Sequence, residues 1–129
     1  MNQVMAVAAG GALGSVLRYG LSTWVHSLTG RGFPYGTLAV NVLGCLAMGV
    51  LFVLLVERMG ESAVWRAGLL IGVLGGFTTF SSFSIETFNL IEQGSLVKAA
   101  GNMAASLFLC LGATWIGVII ARQLWGTAT

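Results

Sequence analysis

The residues best suited to chemistry lie in one stretch between positions 75 and 86, with the sequence GGFTTFSSFSIE. Paired glycines followed by threonines and serines are poor helix formers, which predicts a break in a helix near Gly75 to Thr79. Inside a membrane, the backbone groups freed by such a break need new partners. Broken membrane helices use these groups to bind ions, with carbonyls holding cations and half-helix N-termini favouring anions. A glycine kink in a helix that only packs is the alternative.

Two phenylalanines in this stretch, Phe80 and Phe83, are three residues apart and therefore share one helix face. An aromatic ring has a positive edge, so two ring edges facing a narrow path could coordinate a small anion. Judged by spacing alone, however, apolar filling is the more ordinary role of phenylalanine in a membrane helix.

A polar stripe follows the last apolar segment at intervals of four residues, through Asn102, Ser106, Cys110 and Thr114. Residues at this spacing lie on one helix face, with a slow drift. Such a stripe could line a wet path, or it could form hydrogen bonds between packed helices. Asn41, within the second apolar segment, leaves the same two alternatives open.

Two charged residues, Arg18 and Glu86, lie inside apolar segments. An arginine at the centre of a bilayer costs at least about 2.5–3.5 kcal/mol, so pairing, whether functional or structural, is the default expectation for both residues. The sequence contains a single histidine, no aspartate, two separated cysteines and none of the common nucleophile, metal or phosphate motifs. It therefore predicts that the protein is not an enzyme.

The composition places these residues in a membrane. Of 129 residues, 57% are hydrophobic and 8% are charged, whereas a typical soluble domain is about 25% charged. The mean hydropathy is +0.91. The basic residues are dispersed and the net charge is only +2, which excludes the basic patch of a nucleic-acid-binding protein.

Four apolar segments are each long enough to cross a bilayer, which takes about 20 residues. The sequence thus predicts an all-α membrane protein, one domain over residues 1–129 with four transmembrane helices. The third, at 1.5 Å per residue, would be about 42 Å long against a hydrocarbon core of about 30 Å, which agrees with a break at its centre. The predicted spans cover residues 4–28, 35–56, 64–91 and 96–124.

The basic residues at or near the ends of the spans are almost balanced between the two sides of the membrane. Arg58, Arg66 and Arg122 lie on one side, and Arg31 and Lys98 lie on the other. Orientation normally follows a bias in these residues, so the near balance permits insertion both ways and an antiparallel homodimer. The alternative, which the count supports equally well, is that a small bias sets one orientation. Four helices are too few to surround a pore and remain packed. If the protein transports an ion, we therefore expect a second subunit to complete the path.

Three segments together are similar to a known family: GGALGSVLRYG at 10–20, YGTLAVNVLG at 35–44 and GVLGGFTTFSSFSIE at 72–86. Over essentially its whole length, the chain closely resembles the Fluc (CrcB) family of fluoride channels. This resemblance implies a dual-topology antiparallel homodimer in the bacterial inner membrane, with two pores. Each pore would passively export fluoride from the cytoplasm and so lower its toxicity.

The resemblance also implies roles for individual residues. Phe80 and Phe83 match the two phenylalanines whose ring edges face the anion, and Asn41 matches the asparagine of the pore. Gly75 and Thr78 match positions whose backbone carbonyls hold a central Na⁺ that is structural and is not transported.

The family's polar track on the fourth helix is matched by Ser106 and Thr114. Asn102 and Cys110 stand where family members can carry an aromatic hydroxyl and a serine. A thiol is a weaker donor than a hydroxyl, so we expect little anion coordination from Cys110. Arg18 and Glu86 also match family positions.

Two other functions compete with this one. A small multidrug exporter would also be a four-helix dual-topology dimer, but proton exchange requires a carboxylate in the first helix, where this chain has Arg18. A structural subunit that transports nothing would need neither the helix break nor the polar stripe, which argue weakly against it.

Overall fold

The computed structural model describes residues 2–59 and 62–126, so both ends of the predicted domain, residues 1 and 129, lie outside the described residues. These ranges are almost entirely helical and contain no strand. The elements are α1 (Gln3–Thr29), α2 (Tyr35–Phe52) with a π-helical continuation (Val53–Met59), α3 (Ala63–Arg66), a π-helical segment (Ala67–Val73), α4 (Leu74–Phe77), α5 (Phe80–Glu92) and α6 (Leu96–Trp125).

Four helical stretches are long and apolar enough to cross a membrane: Gln3–Thr29, Tyr35–Arg58, Ala63–Glu92 and Leu96–Trp125. They have nearly the bounds predicted from the sequence, and the third is interrupted between α4 and α5. The prediction of an all-α protein with four spans and a broken third helix is therefore confirmed. The two π-helical segments, which flank the connection between the second and third spans, were not predicted.

Glycines bring the helices of one subunit into close contact. A side chain at Gly10 would overlap the carbonyl of Gly68, and one at Gly14 would overlap the carbonyl of Val73. In this way α1 lies directly against the π-helical part of the third span. Small residues allow such close approach of helices in membranes, so here the glycine spacing of α1 serves packing within the subunit.

The interior of the four-helix unit is small. Half of its buried apolar residues are alanine and the rest are leucine and valine, while large apolar side chains are exposed on every span. At most 33% of the most apolar window of any span is buried within the subunit. Most of the apolar surface therefore faces outward, as a lipid-facing or partner-facing surface does.

Candidate functional site

The helix break lies at the two threonines that follow the paired glycines. Gly75 and Gly76 are still helical, whereas Thr78 (φ −88°, ψ 157°) and Thr79 (φ −150°, ψ 118°) are extended. β-Branched residues are stiff and favour extended backbone, which explains why the chain leaves the helix at this point. Helix α5 then begins with a side-chain cap, since the Thr79 hydroxyl accepts a hydrogen bond from the backbone N–H of Ser82 at 3.2 Å.

Asn41 of α2 satisfies the backbone freed at the break. Its side-chain Nδ2 donates to the carbonyl of Thr79 at 3.0 Å, and the N–H of Thr79 donates to Asn41 Oδ1 at 2.7 Å. The Asn41 amide thus supplies the donor and the acceptor that another stretch of backbone would otherwise supply. Inside a membrane, leaving these two groups of Thr79 unpaired would be costly. The second N–H of the Asn41 amide is not used in this pair.

Arg18 pairs with the end of the half-helix that precedes the break. Its Nε donates to the carbonyl of Gly76 at 2.9 Å. The last carbonyls of a helix lack intrahelical donors and carry a partial negative charge, so a cation is well placed there. The contact joins residues 58 positions apart and fixes a positive charge beside the break.

A cavity of about 370 Å³ lies alongside the break. Four of the predicted pore residues line it: Asn41, Phe80, Phe83 and Ser106. The rings of Phe80 and Phe83 are 5.3 Å apart between centroids and tilted by 45°. Polar and aromatic groups from three spans therefore meet at one space. Its remaining lining consists of Cys45, Thr78, Thr79, Met103, Leu107, Cys110 and Leu111.

The stripe on α6 is divided between this cavity and the helix contacts. Ser106 and Cys110 line the cavity, whereas the Thr114 hydroxyl donates to the carbonyl of Cys45 at 3.2 Å. Asn102 is 2% exposed, and its Nδ2 donates to the hydroxyl of Thr87 on α5 at 2.9 Å. The alternative of hydrogen bonds between helices therefore applies to Asn102 and Thr114, whereas a wet path remains a prediction for Ser106 and Cys110.

Glu86 lies at a second, smaller cavity of about 190 Å³, which His26, Arg31, Asn89 and Gln93 also line. The Thr37 hydroxyl donates to its Oε1 at 2.6 Å, while its Oε2 is buried and has no partner among the described residues. Sequence reasoning did not single out Thr37. The one signal available was a hydroxyl within the apolar second span.

The carbonyls of Gly75 and Thr78 suit a hard cation better than a soft one, because hard cations prefer oxygen ligands. The usual intrahelical donor to the Gly75 carbonyl would be the N–H of Thr79, which is bonded to Asn41 instead. The Gly75 Cα faces open space, whereas Gly76 packs on Gly11. The described part of the chain contains no cluster of three or more histidine, cysteine or carboxylate residues that could hold a metal.

The chain is similar to known proteins over most of its length. The family model described as "CrcB-like protein, Camphor Resistance (CrcB)" matches residues 5–118. The chain is 52% identical to the fluoride-specific ion channel FluC of Coxiella burnetii (strain Dugway 5J108-111), over 94% of this chain and 98% of that protein. It is 48% identical to the protein of the same name from Geobacter metallireducens, over 96% of this chain and 100% of that protein. The chain therefore belongs to the CrcB family, a family of ion channels and not of enzymes.

Proposed function

We propose that this protein is a fluoride-selective passive channel that exports cytoplasmic fluoride across the bacterial inner membrane and lowers its toxicity. Relatives at about half identity bear the name of a fluoride-specific channel. The observation that carries the proposal is the cavity beside the helix break, where the Phe80 and Phe83 rings, the Asn41 amide and the Ser106 hydroxyl line one space.

These groups can replace part of the water that fluoride must lose. The positive ring edges, a hydroxyl and the unused amide N–H can each approach a small anion without binding it as tightly as a full charge would. The N-terminus of α5 and the guanidinium of Arg18 add positive potential nearby. We propose that chloride is excluded because it is too large for the same path.

The direction of flow follows from acid chemistry and the membrane potential. Hydrogen fluoride enters cells as a neutral molecule and dissociates at cytoplasmic pH, which traps the anion inside. The inside-negative potential drives an anion outward by about 2.3 kcal/mol per 100 mV. A passive channel therefore suffices for export.

We propose a dual-topology antiparallel homodimer as the working unit, with two pores. One subunit leaves Phe80, which lines the cavity, 78% exposed, and a second copy would cover it. The near balance of flanking basic residues permits the two orientations that such a dimer requires.

A structural Na⁺ would be held by the carbonyls of Gly75 and Thr78, and a second subunit could contribute the same pair. The support is the Gly75 carbonyl, which has lost its intrahelical donor, next to open space. In this proposal Asn102 and Thr114 shape the pore indirectly, by fixing α6 against α5 and α2. Glu86 acts at the smaller cavity that it lines.

Fluoride efflux from liposomes containing the purified protein, followed with an ion-selective electrode, tests the function. We expect fast fluoride efflux, little chloride flux and at least a tenfold loss of rate in Phe80→Ile. The control is Phe52→Ile, since Phe52 ends α2 and does not line the cavity. No fluoride flux from a folded protein with Na⁺ present would refute the proposal, and organic-cation flux driven by a proton gradient would support a multidrug exporter.

A further inference from the structure

Two cysteines from different helices lie in the wall of the larger cavity. Cys45 on α2 and Cys110 on α6 both line it, and both are free and partly exposed. The two residues lie on helices that pack directly against each other. Two cysteines 65 positions apart in sequence thus line one open space.

The helix backbones hold this pair at a fixed separation. One turn beyond Cys110, the Thr114 hydroxyl bonds to the carbonyl of Cys45 at 3.2 Å. A side chain at Gly49 would overlap the Thr114 carbonyl, and one at Gly117 would overlap the Leu46 carbonyl. Because α2 and α6 touch through their backbones at this level, the positions of Cys45 and Cys110 relative to each other are fixed before any ligand arrives.

We propose that Cys45 and Cys110 form a two-coordinate site for a soft divalent metal ion, for which Hg²⁺ is the probe. Each thiol releases its proton to water, and two sulfur–metal bonds form without any oxidation or reduction. Soft thiolates favour soft metal ions, and the two thiolate charges neutralise the ion. A neutral complex suits an apolar cavity wall, where a net charge is costly.

The same geometry disfavours Zn²⁺. Structural zinc sites take four ligands in a tetrahedron, and the described residues contain no group of three or more histidine, cysteine or carboxylate side chains at one place. Met103 lines the same cavity but lies two helical turns from Cys110, about 10 Å along the axis. The pair therefore selects ions that are satisfied by two sulfur ligands.

Metal retention by the purified full-length protein tests the site independently of conduction. The protein is loaded with Hg²⁺, washed with increasing 2-mercaptoethanol, and assayed for bound mercury and free thiols. We expect one ion per chain, both thiols blocked, and retention at competitor concentrations about 10²–10⁴-fold higher than for Cys45→Ser or Cys110→Ser, since the second bond is intramolecular.

A matched control keeps two thiols but separates them. The variant Cys110→Ser with Leu109→Cys places the second thiol at a neighbouring exposed position that does not line the cavity. We expect it to lose mercury as readily as the single-cysteine variants. Wild-type protein that retains mercury no better than these variants, or that binds two ions per chain, would overturn the proposal.

The site also predicts inhibition, and this part rests on the proposed channel function. An ion between Cys45 and Cys110 would stand beside Phe83 and Ser106 in the cavity. We expect Hg²⁺ to stop fluoride efflux from wild-type liposomes and to leave Cys45→Ser/Cys110→Ser unaffected. Mercury retention without inhibition of fluoride efflux would support the metal site and overturn its position on the conduction path. A protein that shows no fluoride flux at all would refute the proposed channel function and leave the mercury-retention result unaffected.

Discussion

Replacing Asn41 by leucine would remove the side chain that closes the helix break. The substitution leaves the N–H and the carbonyl of Thr79 without the partners they have at 2.7 and 3.0 Å. An unsatisfied buried polar group costs about 1–3 kcal/mol. Thr79 is half-buried and lines the cavity, so we expect the two groups together to lower the free energy of unfolding by about 2 kcal/mol, at the lower end of this range. We expect the fluoride flux to fall as well, because the Thr79 backbone forms part of the cavity wall.

The matched control is Asn102→Leu, which also removes an asparagine from a membrane span; Asn102 is buried, whereas Asn41 is half-buried. Within residues 2–59 and 62–126, the Asn102 side chain bonds a single partner, the side-chain hydroxyl of Thr87, and Thr87 keeps its own bond to the carbonyl of Phe83 at 2.8 Å. We therefore expect a loss of about 1 kcal/mol.

Unfolding in mixed micelles gives the free energies for both variants, and amide hydrogen exchange over residues 78–80 shows whether the break has opened. Equal stability losses in the two variants, with slow exchange at Thr79 in both, would refute the reasoning that Asn41 is the partner of the broken backbone.

Three further perturbations test the surrounding contacts. Gly14→Leu would overlap the facing π-helical segment and should abolish folding, whereas Gly20→Leu faces open space and should leave yield and size-exclusion profile unchanged. Arg18→Leu leaves the last carbonyls of α4 one donor short and should lower the free energy of unfolding by about 1–3 kcal/mol. Thr37→Val removes the donor to Glu86 and should slow fluoride efflux more than Thr37→Ser, measured in liposomes.

The spans and the helix break could be predicted from the sequence because both depend on local properties. Hydropathy over about 20 residues decides whether a segment can cross a bilayer, and the four helices lie almost where the apolar runs placed them. Poor helix formers placed the break near Gly75 to Thr79. The structure locates it at Thr78 and Thr79, since the glycines can continue a helix while adjacent threonines favour extended backbone.

The pairings across the molecule could not be predicted. Asn41 and Thr79 are 38 positions apart and Asn102 and Thr87 are 15 apart, yet in sequence both asparagines appeared as the same kind of polar residue in an apolar run. Which helix face each one presents to a neighbour depends on the rotation and crossing of whole helices.

The sequence by itself determined a membrane protein of four helices with one interruption, because composition and periodicity are properties of the chain alone. Only the tertiary structure decided that Asn41 closes the break, that Asn102 holds α5 and that Cys45 and Cys110 line one cavity. These contacts depend on how closely the helices approach, and that distance is set by glycines such as Gly49 and Gly117, where backbone meets backbone.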